Sequence, residues 1–441
     1  MTLHLLFCSR FVVLVIVLGF HFSSICPAQW PDRHGPTLDG VAAAEDAQGL
    51  PTHWTFTDNV AWKTRLHDEG HSSPVISEGK IWLTAATTDG TKQFVIAIDE
   101  KTGEVLHDRV VFENKEVEPL GGAQGFNNYA APSCVLAPGA VYVHFGSYGT
   151  AKLDAQTADV IWQRRDLKCQ HFRGPGSSPV LVDNKLILTF DGVDQQYTVA
   201  LDTATGETIW RTDRSTDYGD VGDDGRPLRD GDMRKAYCTP LVVKVGNQTQ
   251  VLSVGARAMQ SYEVETGREI WTLRHNSYNA GIRPLWLTDL KLVVINTGSR
   301  GAQHVAVKLD ETTRGDITDS HVVWVREHGN PRFAMPIEQD GLIFQVTDNG
   351  VLSCVDAANG DEIRKLRLSG DYRASPILAG ENLYFFNESG LGSVVQGNRD
   401  CETLAVNDVP EMATTACPAV SGGALFVRGK EFLFKIAVSS K

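Results

Sequence analysis

Arginine, lysine, histidine and tyrosine residues recur at similar places in the loops between apolar stretches, where they could together bind an anion. The candidates are Tyr129, His171, Arg173, Arg234, Lys235, Tyr237, His275, Arg283, Arg332, Tyr372 and Arg373. A guanidinium forms paired hydrogen bonds with a carboxylate or a phosphate, and a tyrosine ring stacks on a ligand or donates to it. In the other interpretation, the arginines cap strand ends or extend into solvent.

The sequence lacks the motifs of common catalytic sites. It contains no Gly-x-Ser-x-Gly, no His-Glu-x-x-His, and neither the His-Arg-Asp nor the Asp-Phe-Gly of kinases. Cys-x-x-Cys and Cys-Cys are also absent, as is any metal-site spacing. The acidic stretch from Asp213 to Asp232 could ligate Ca²⁺, although a solvated surface loop is the alternative. We therefore expect no catalytic residues and no metal site.

The elements that position these residues form a repeat. A proline after small residues opens an apolar strand eight times, and the intervals between Pro74 and Pro418 average about 49 residues. The eight sites are Ser73-Pro74, Ala131-Pro132, Ser178-Pro179, Thr239-Pro240, Arg283-Pro284, Met335-Pro336, Ser375-Pro376 and Cys417-Pro418. The strands that follow alternate or are wholly apolar, which is typical of buried β-structure.

A hairpin and a tryptophan form the second part of the repeat. Asp99–Gly103, Asp202–Gly206, Glu263–Gly267 and Asp356–Gly360 each link two strands with a turn that the acidic side chain caps and the glycine permits. Tryptophans follow these or related hairpins in most repeats, while His107 and Arg364 break the pattern. Because they recur, we interpret them as packing between neighbouring sheets rather than as a cofactor site. They are Trp62, Trp162, Trp210, Trp271 and Trp324.

About four strands in each repeat of 40–50 residues predict an all-β protein, an eight-bladed β-propeller of four-stranded blades. The last repeat has only three strands. The segment Asn59–Arg65 precedes the first repeat, and we expect it to complete the last blade. This N-terminal strand would close the ring and remove the exposed sheet edges.

The N-terminus has the features of an export signal. The run Phe11–Phe20 is too short to cross a bilayer but suits a signal-peptide core, so residues 1–28 are predicted to be cleaved. An uncleaved anchor is the alternative. We predict an N-terminal extension at 29–58 and the propeller at 59–441, in a periplasmic or extracellular monomer with no membrane span. The net charge of −13 argues against nucleic-acid binding.

These repeats resemble the quinoprotein-type, or PQQ-like, β-propeller family with its Asp-x-x-Thr-Gly-x-x-x-Trp motifs. Within this family, the N-terminal part of the chain is similar to that of a group of exported planctomycete proteins. The residues that carry this resemblance are Trp30-Pro31, Arg33-His34-Gly35-Pro36, Asp39-Gly40, Leu50-Pro51, Trp54 and Trp62-Lys63. His34, inserted between Arg33 and Gly35, departs from the pattern of that group. The architecture also resembles the propeller lipoprotein of the outer-membrane barrel-assembly machinery, although the lipobox is missing. The resemblance to quinone-dependent dehydrogenases implies pyrroloquinoline quinone as the cofactor of an alternative function.

The sequence thus favours an exported, non-catalytic propeller scaffold that binds a protein partner or an anionic small ligand, with no cofactor. The alternative is a quinone- or metal-dependent periplasmic oxidoreductase. Cys169 and Cys238 lie in adjacent repeats near the start of a strand, and either an inter-blade disulfide or two buried free thiols would fit them.

Overall fold

Eight antiparallel sheets follow one another along the chain and form a ring. The computed structural model describes residues 30–121, 126–299 and 301–438. Each sheet in these ranges has four antiparallel strands, and one carries an additional short parallel strand. The predicted eight-bladed β-propeller is confirmed. The predicted signal peptide, residues 1–28, lies outside the described residues.

The first four blades follow β1 (Val60–Arg65) in the chain. Blade 1 contains β2 (Val75–Ser77), β3 (Lys80–Ala86), β4 (Lys92–Asp99) and β5 (Val105–Glu113). Blade 2 contains β6 (Val135–Ala137), β7 (Ala140–His144), β8 (Thr150–Asp154) and β9 (Val160–Arg164). Blade 3 contains β10 (Val180–Val182), β11 (Lys185–Asp191), β12 (Gln196–Asp202) and β13 (Thr208–Asp213). Blade 4 contains β14 (Leu241–Val245), β15 (Gln248–Val254), β16 (Ala258–Glu263) and β17 (Glu269–Arg274).

The other four blades complete the ring. Blade 5 contains β18 (Leu285–Leu287), β19 (Leu292–Asn296), β20 (His304–Lys308) and β22 (Val322–Arg326), and β21 (Gly315–Asp316) pairs with β17. Blade 6 contains β23 (Ile337–Gln339), β24 (Leu342–Val346), β25 (Val351–Asp356) and β26 (Glu362–Arg367). Blade 7 contains β27 (Ile377–Ala379), β28 (Asn382–Phe386), β29 (Leu391–Gln396) and β30 (Thr403–Asp408). Blade 8 contains β31 (Ala419–Ser421), β32 (Ala424–Arg428), β33 (Phe432–Ala437) and β1.

The chain also contains a few short helices outside the sheets. Helix α1 (Ala44–Ala47) precedes β1, and 3-10 turns occur at Gly146–Tyr148, Leu228–Arg234 and Pro410–Met412. The turn at Leu228–Arg234 is kinked, because Arg229, Asp230 and Gly231 have positive φ.

The first strand of each blade is innermost and the fourth is outermost. Strand β2 contacts β6 and β31, and β10 contacts β14, so the first strands of neighbouring blades meet around the axis. Strand β1 pairs antiparallel with β33, with Arg65 opposite Phe432, which confirms that the N-terminal strand closes the ring. The hydrophobic core is divided into clusters between blades; the cluster of blades 1 and 2, for example, includes Trp82 and Val141.

Most of the predicted tryptophans lie on the hairpin of the next blade. The indole Nε1 donates to a hairpin carbonyl from Trp162 (Thr203, 3.1 Å), Trp210 (Val264, 2.9 Å) and Trp324 (Ala357, 3.1 Å). A β-carbon added to Gly206, which has a φ of +75°, would come within 2.7 Å of the Trp162 ring. Glycine is therefore needed there both for its backbone conformation and for space.

At three other boundaries between neighbouring blades, which we call seams, the residues in this position are Trp62, His107 and Trp271. Trp62 lies over Gly103, where an added β-carbon would be 2.7 Å from its ring. His107 replaces a tryptophan, and its Nε2 hydrogen-bonds the Gln156 carbonyl at 2.8 Å. Trp271 is buried but its Nε1 donates to Gln250 of its own blade, at 3.1 Å. The indole-on-hairpin contact is thus made by Trp62, Trp162, Trp210 and Trp324, whereas Trp271 bonds within its own blade and His107 replaces a tryptophan.

Hydrogen bonds between first-strand segments also link neighbouring blades. The backbone N–H two residues before one first strand donates to the side chain at the same position of the next blade: Ser73 to Ser133 (2.8 Å), Ser133 to Ser178 (3.0 Å) and Ser178 to Thr239 (3.0 Å). Bonds from Met335 to Ser375 (2.9 Å), from Ser375 to Cys417 (3.4 Å) and from Cys417 to Ser73 (3.0 Å) continue this set. In blade 2 the residue two positions before the first strand is Ser133, followed by Cys134. The prediction that this blade starts with Ala131-Pro132, as the other blades start with their prolines, was therefore wrong.

The N-terminal segment Trp30–Ala42, which we call the axial segment, hydrogen-bonds to the first strands of several blades. Trp30 pairs with Ile76 of blade 1, and the Pro31 carbonyl accepts the Leu136 N–H of blade 2. At its other end, Gly40 and Ala42 pair with Leu378 of blade 7. Since these blades lie apart around the ring, the segment runs through the axial channel.

Candidate functional site

A cavity of about 400 Å³ lies where the segments leading into the first strands converge. Every blade contributes to its lining, and the axial segment contributes Arg33. The blades contribute, in order, His71, Asn127, Arg173, Tyr237, Gly281, Arg332, Arg373 and Thr415, among others. We call this space the axial cavity. Ring closure brings together residues that are far apart in sequence.

Four guanidinium groups line the axial cavity, whereas no aspartate or glutamate of the described chain does so. Arg332 and Arg373 have carboxylate partners outside the lining: Arg332 pairs with Asp348, and Arg373 Nε lies 2.6 Å from Glu388. Arg33 and Arg173 form no ion pair with any described residue, and the buried Nε of each lacks a hydrogen-bond partner there, while Nη2 of Arg33 donates to Cys417 Sγ at 3.7 Å. The cavity is thus cationic, with two guanidiniums available to a ligand.

Aromatic rings form the apolar part of the lining. Phe126 and Phe333 meet edge to face at 5.4 Å between ring centres. The Arg373 guanidinium lies 4.2 Å from the Phe126 ring centre, in a cation–π contact. The hydroxyl of Tyr237 donates to the His171 carbonyl at 3.4 Å, and this hydrogen bond holds the orientation of the ring. A ligand with a flat apolar part could contact these rings while its anionic group binds the arginines.

His71 adds a neutral hydrogen-bonding side chain. Burial, followed by the positive charges of Arg428 and Arg373, lowers the pKa of His71 to about 4. At neutral pH the imidazole is therefore uncharged, and the positive charge of the cavity comes from its arginines.

A buried ion pair holds the axial segment in place. Asp32 accepts two hydrogen bonds from Arg283, at 2.6 and 2.9 Å, and both side chains are almost fully buried. His34 contacts Ser375 Oγ at 3.2 Å. Burial, with Arg33 and Arg283 nearby, holds the pKa of His34 well below its usual value. Arg283 thus anchors the axial segment and does not line the cavity.

Four of the predicted ligand-binding residues line the axial cavity: Arg173, Tyr237, Arg332 and Arg373. The other cations are occupied elsewhere. Arg234 lies 2.5 Å from Asp220, and the side chain of Lys235 is fully buried beside Asp232. Both carboxylates belong to the acidic stretch. Burial and the charge of Arg173 lower the pKa of Lys235 to about 8.

Of the remaining predicted residues, Tyr129, His171 and Tyr372 are buried in the blades and His275 is half-buried. Tyr129 donates to the Glu118 carbonyl at 3.0 Å, and Tyr372 packs edge to face on Phe385. His171 Nε2 accepts from the Ser147 N–H at 3.1 Å, and His275 Nδ1 accepts from the Ser277 N–H at 3.3 Å. Burial lowers the pKa of both histidines to about 4. None of these four side chains lines the axial cavity, because each contacts its own surroundings instead.

The inter-blade disulfide considered for Cys169 and Cys238 is not formed in the structure, where both are buried free thiols. Cys169 Sγ lies 3.6 Å from the His171 ring nitrogens, while Cys238 Sγ donates to the Ile282 carbonyl at 3.1 Å. Each sulfur thus contacts a group other than the second cysteine.

Arg33, His71, Phe126 and Phe333 line the axial cavity but were not among the predicted residues. Phe333 directly follows the predicted Arg332, and Arg33 belongs to the Trp-Pro…Arg series at the N-terminus, so a signal existed for both. In chemical terms the site offers guanidinium donors and aromatic surface. It offers no carboxylate for a general base, and no cluster of three His, Cys, Asp or Glu that could hold a metal occurs in the described parts of the chain.

Comparison with known proteins gives one family and several similar structures. Residues 33–165, 110–324 and 170–385 match the family described as outer membrane protein assembly factor BamB. No curated protein matches the sequence. A europium-containing methanol dehydrogenase is similar in structure, with 12% identity, a TM-score of 0.65 and coverage of 92% of this chain and 90% of that chain.

Two further solved structures show the same likeness. BamB from Moraxella catarrhalis has 14% identity and a TM-score of 0.57, over 85% of this chain and 99% of that one. Quinohemoprotein alcohol dehydrogenase ADHIIG from Pseudomonas putida HK5 has 12% identity and a TM-score of 0.60, over 94% of this chain and 81% of that one. At these identities the likeness shows a shared fold.

Proposed function

Since the chain belongs to the family described as outer membrane protein assembly factor BamB, we propose that it is a non-catalytic propeller that binds an anion in its axial cavity. The anion is a carboxylate or phosphate, carried by a small ligand or by a protein partner. One observation carries the proposal: four guanidiniums converge on a cavity that no carboxylate of the described chain lines.

The size and charge of the axial cavity suit such a ligand. Its volume of about 400 Å³ is within the range of small-molecule sites. A concave site of one charge sign concentrates the field and attracts counter-ions, even on a protein of net charge −13. Each charge-assisted hydrogen bond from Arg33 or Arg173 would contribute roughly 1.5–3 kcal/mol to binding.

Quinone-dependent oxidation is less well supported by the residues of the axial cavity. The resemblance to quinoproteins implies a calcium ion held by glutamate and asparagine, and an aspartate base, beside the quinone. Asn127 is present, but the described lining provides neither a glutamate ligand nor an aspartate base. We therefore treat pyrroloquinoline quinone, which carries carboxylates, as one of the anions to be tested.

Export to the periplasm or the cell exterior is part of the proposal. Among the described residues, no helix is long and apolar enough to cross a membrane. Mass spectrometry of the protein from its native host tests export: the mature chain should begin near Gln29, and an intact Met1 would contradict cleavage.

Thermal denaturation and calorimetric titration test binding in the axial cavity. We expect a panel of phosphate, citrate, a synthetic acidic peptide and pyrroloquinoline quinone to contain at least one anion that stabilises the protein. Arg173→Ala should weaken that anion roughly tenfold to a hundredfold without lowering the midpoint of the free protein, because Arg173 forms no ion pair with described residues.

Arg268→Ala is the matched control, since Arg268 is exposed and paired with Glu263 at 3.4 Å, away from the cavity. It should bind the anion as the wild type does. If no anion of the panel stabilises the wild type, or if Arg173→Ala binds as tightly, the cavity is not an anion site.

A further inference from the structure

Blades 6 and 7 meet without the tryptophan-on-hairpin contact. In blade 5, Trp324 docks on the next hairpin and the small Ala306 lies opposite it across the strand pair. In blade 6 the same two positions hold Arg364, which is exposed, and Cys354. An exposed arginine therefore replaces the tryptophan at this boundary between blades.

The facing hairpin of blade 7 is changed as well. Cys401 has a φ of +50°, the conformation that Gly206 (+75°) and Gly360 (+78°) adopt in other hairpins. A side chain at positive φ has a conformational cost, so backbone preference does not explain a cysteine at this position.

The two cysteines meet between the blades. Cys354 is 0% exposed and Cys401 is 2% exposed, and both belong to the hydrophobic cluster shared by blades 6 and 7. Both are free thiols in the structure, and the Sγ of Cys401 donates to the Asn398 carbonyl at 3.3 Å. Each thiol shifts the pKa of the other, raising that of Cys354 and lowering that of Cys401. Cys354 thus stands where blades 3 and 5 have an alanine opposite the tryptophan, and Cys401 stands where several other hairpins have a glycine.

We propose that Cys354 and Cys401 form a disulfide that joins blades 6 and 7 in place of the tryptophan contact. The other sulfurs have different neighbours: Cys169 lies against His171, and Cys417 accepts the Ser375 N–H. The bond would close a loop between two blades, which restricts the unfolded chain and stabilises the ring.

Thiol–disulfide exchange with a small disulfide such as oxidised glutathione supplies the oxidation. The thiolate of Cys401 attacks the glutathione disulfide and releases one glutathione thiolate. The thiolate of Cys354 then attacks the mixed disulfide and releases the second, so two protons and two electrons leave the protein thiols. The neighbouring thiol of Cys354 lowers the pKa of Cys401, which favours Cys401 as the first nucleophile.

Peptide mapping of the oxidised full chain tests this proposal. The folded protein is treated with oxidised or reduced glutathione, free thiols are alkylated in denaturant, and the chain is digested without reduction. Trypsin combined with a glutamate-specific protease separates Cys401 from Cys417, because Glu402 lies between them. We expect a cross-linked peptide of Cys354 and Cys401 as the main disulfide, and a denaturation midpoint roughly 5 °C higher than in the reduced protein.

Two variants introduce the alanine of blades 3 and 5 and the glycine of several other hairpins. Cys354→Ala and Cys401→Gly should fold, lose the cross-linked peptide and show the same midpoint in both glutathione conditions. Cys238→Ala removes a buried thiol elsewhere and should keep both the peptide and the shift. The proposal is overturned if the wild type keeps both thiols reduced, if another pair is the main disulfide, or if the two seam variants retain the redox-dependent shift.

Discussion

Replacing Asp32 with asparagine should strongly destabilise the protein. Arg283 has a side chain with 0% exposure, and its charge is balanced by Asp32, which accepts hydrogen bonds of 2.6 and 2.9 Å. Asparagine keeps the shape and one acceptor but removes the negative charge. A buried charge left without its partner typically costs about 3–5 kcal/mol. We expect a loss of this size in the free energy of unfolding.

The measurement is equilibrium unfolding in urea at pH 7, followed by tryptophan fluorescence. The double variant Asp32→Leu/Arg283→Met removes both charges, and it should be much closer to the wild type than Asp32→Asn is. Asp213→Ala is the control, because its ion pair with Arg211 is exposed and should contribute less than about 1 kcal/mol. A loss below 1 kcal/mol for Asp32→Asn, or a double variant as unstable as the sum of its singles, would refute this reasoning.

Three other predictions concern the ring and one buried histidine, His144. Deleting residues 59–66 removes β1 and Trp62 and should cost more than the roughly 3–5 kcal/mol of a Trp→Ala change, measured by urea unfolding. Gly206→Ala should lower the unfolding midpoint, because the added β-carbon meets Trp162 at 2.7 Å and the φ is +75°. Burial lowers the pKa of His144 to about 3, so its neutral form stabilises the fold above the unfolded pKa near 6.5, and this contribution is lost as the pH falls below 6.5. Unfolding free energies measured from pH 7 to pH 4 should therefore fall less steeply in His144→Gln than in the wild type, by about 1.4 kcal/mol per pH unit.

The fold could be predicted because its repeat leaves local signals. Asp202–Gly206 is a hairpin whose turn chemistry is contained in five residues, and Trp210 follows at a fixed distance. The closing strand could be predicted because the last blade lacked a strand and residues 59–65 supplied one. Blade 2 shows the limit of prediction from local signals. Pro132 resembles the prolines of the other repeats, but Ser133 and Cys134 occupy the two positions before the first strand of this blade.

The candidate site could be predicted only in part, because the pairing of charges depends on contacts distant in sequence. Arg173 and Arg283 look alike in the sequence, yet only Arg283 meets Asp32, which is 251 residues away in the chain. Arg33 joins the site because the axial segment runs into the channel, and the N-terminal series that contains Arg33 does not by itself indicate this path. Which cations line the axial cavity therefore depends on their burial and on the carboxylates that pair with them, and not on residue type alone.

The axial segment also changes how the repeats are coupled. In an open repeat array each unit interacts only with its neighbours, so the array can lose units from its ends. Here β1 joins the last blade to the first, and the axial segment links blades 1, 2, 5 and 7 directly. Loss of one blade then breaks contacts on distant blades, which disfavours partly unfolded rings. The protein should consequently unfold as one cooperative unit, despite being built of eight similar parts.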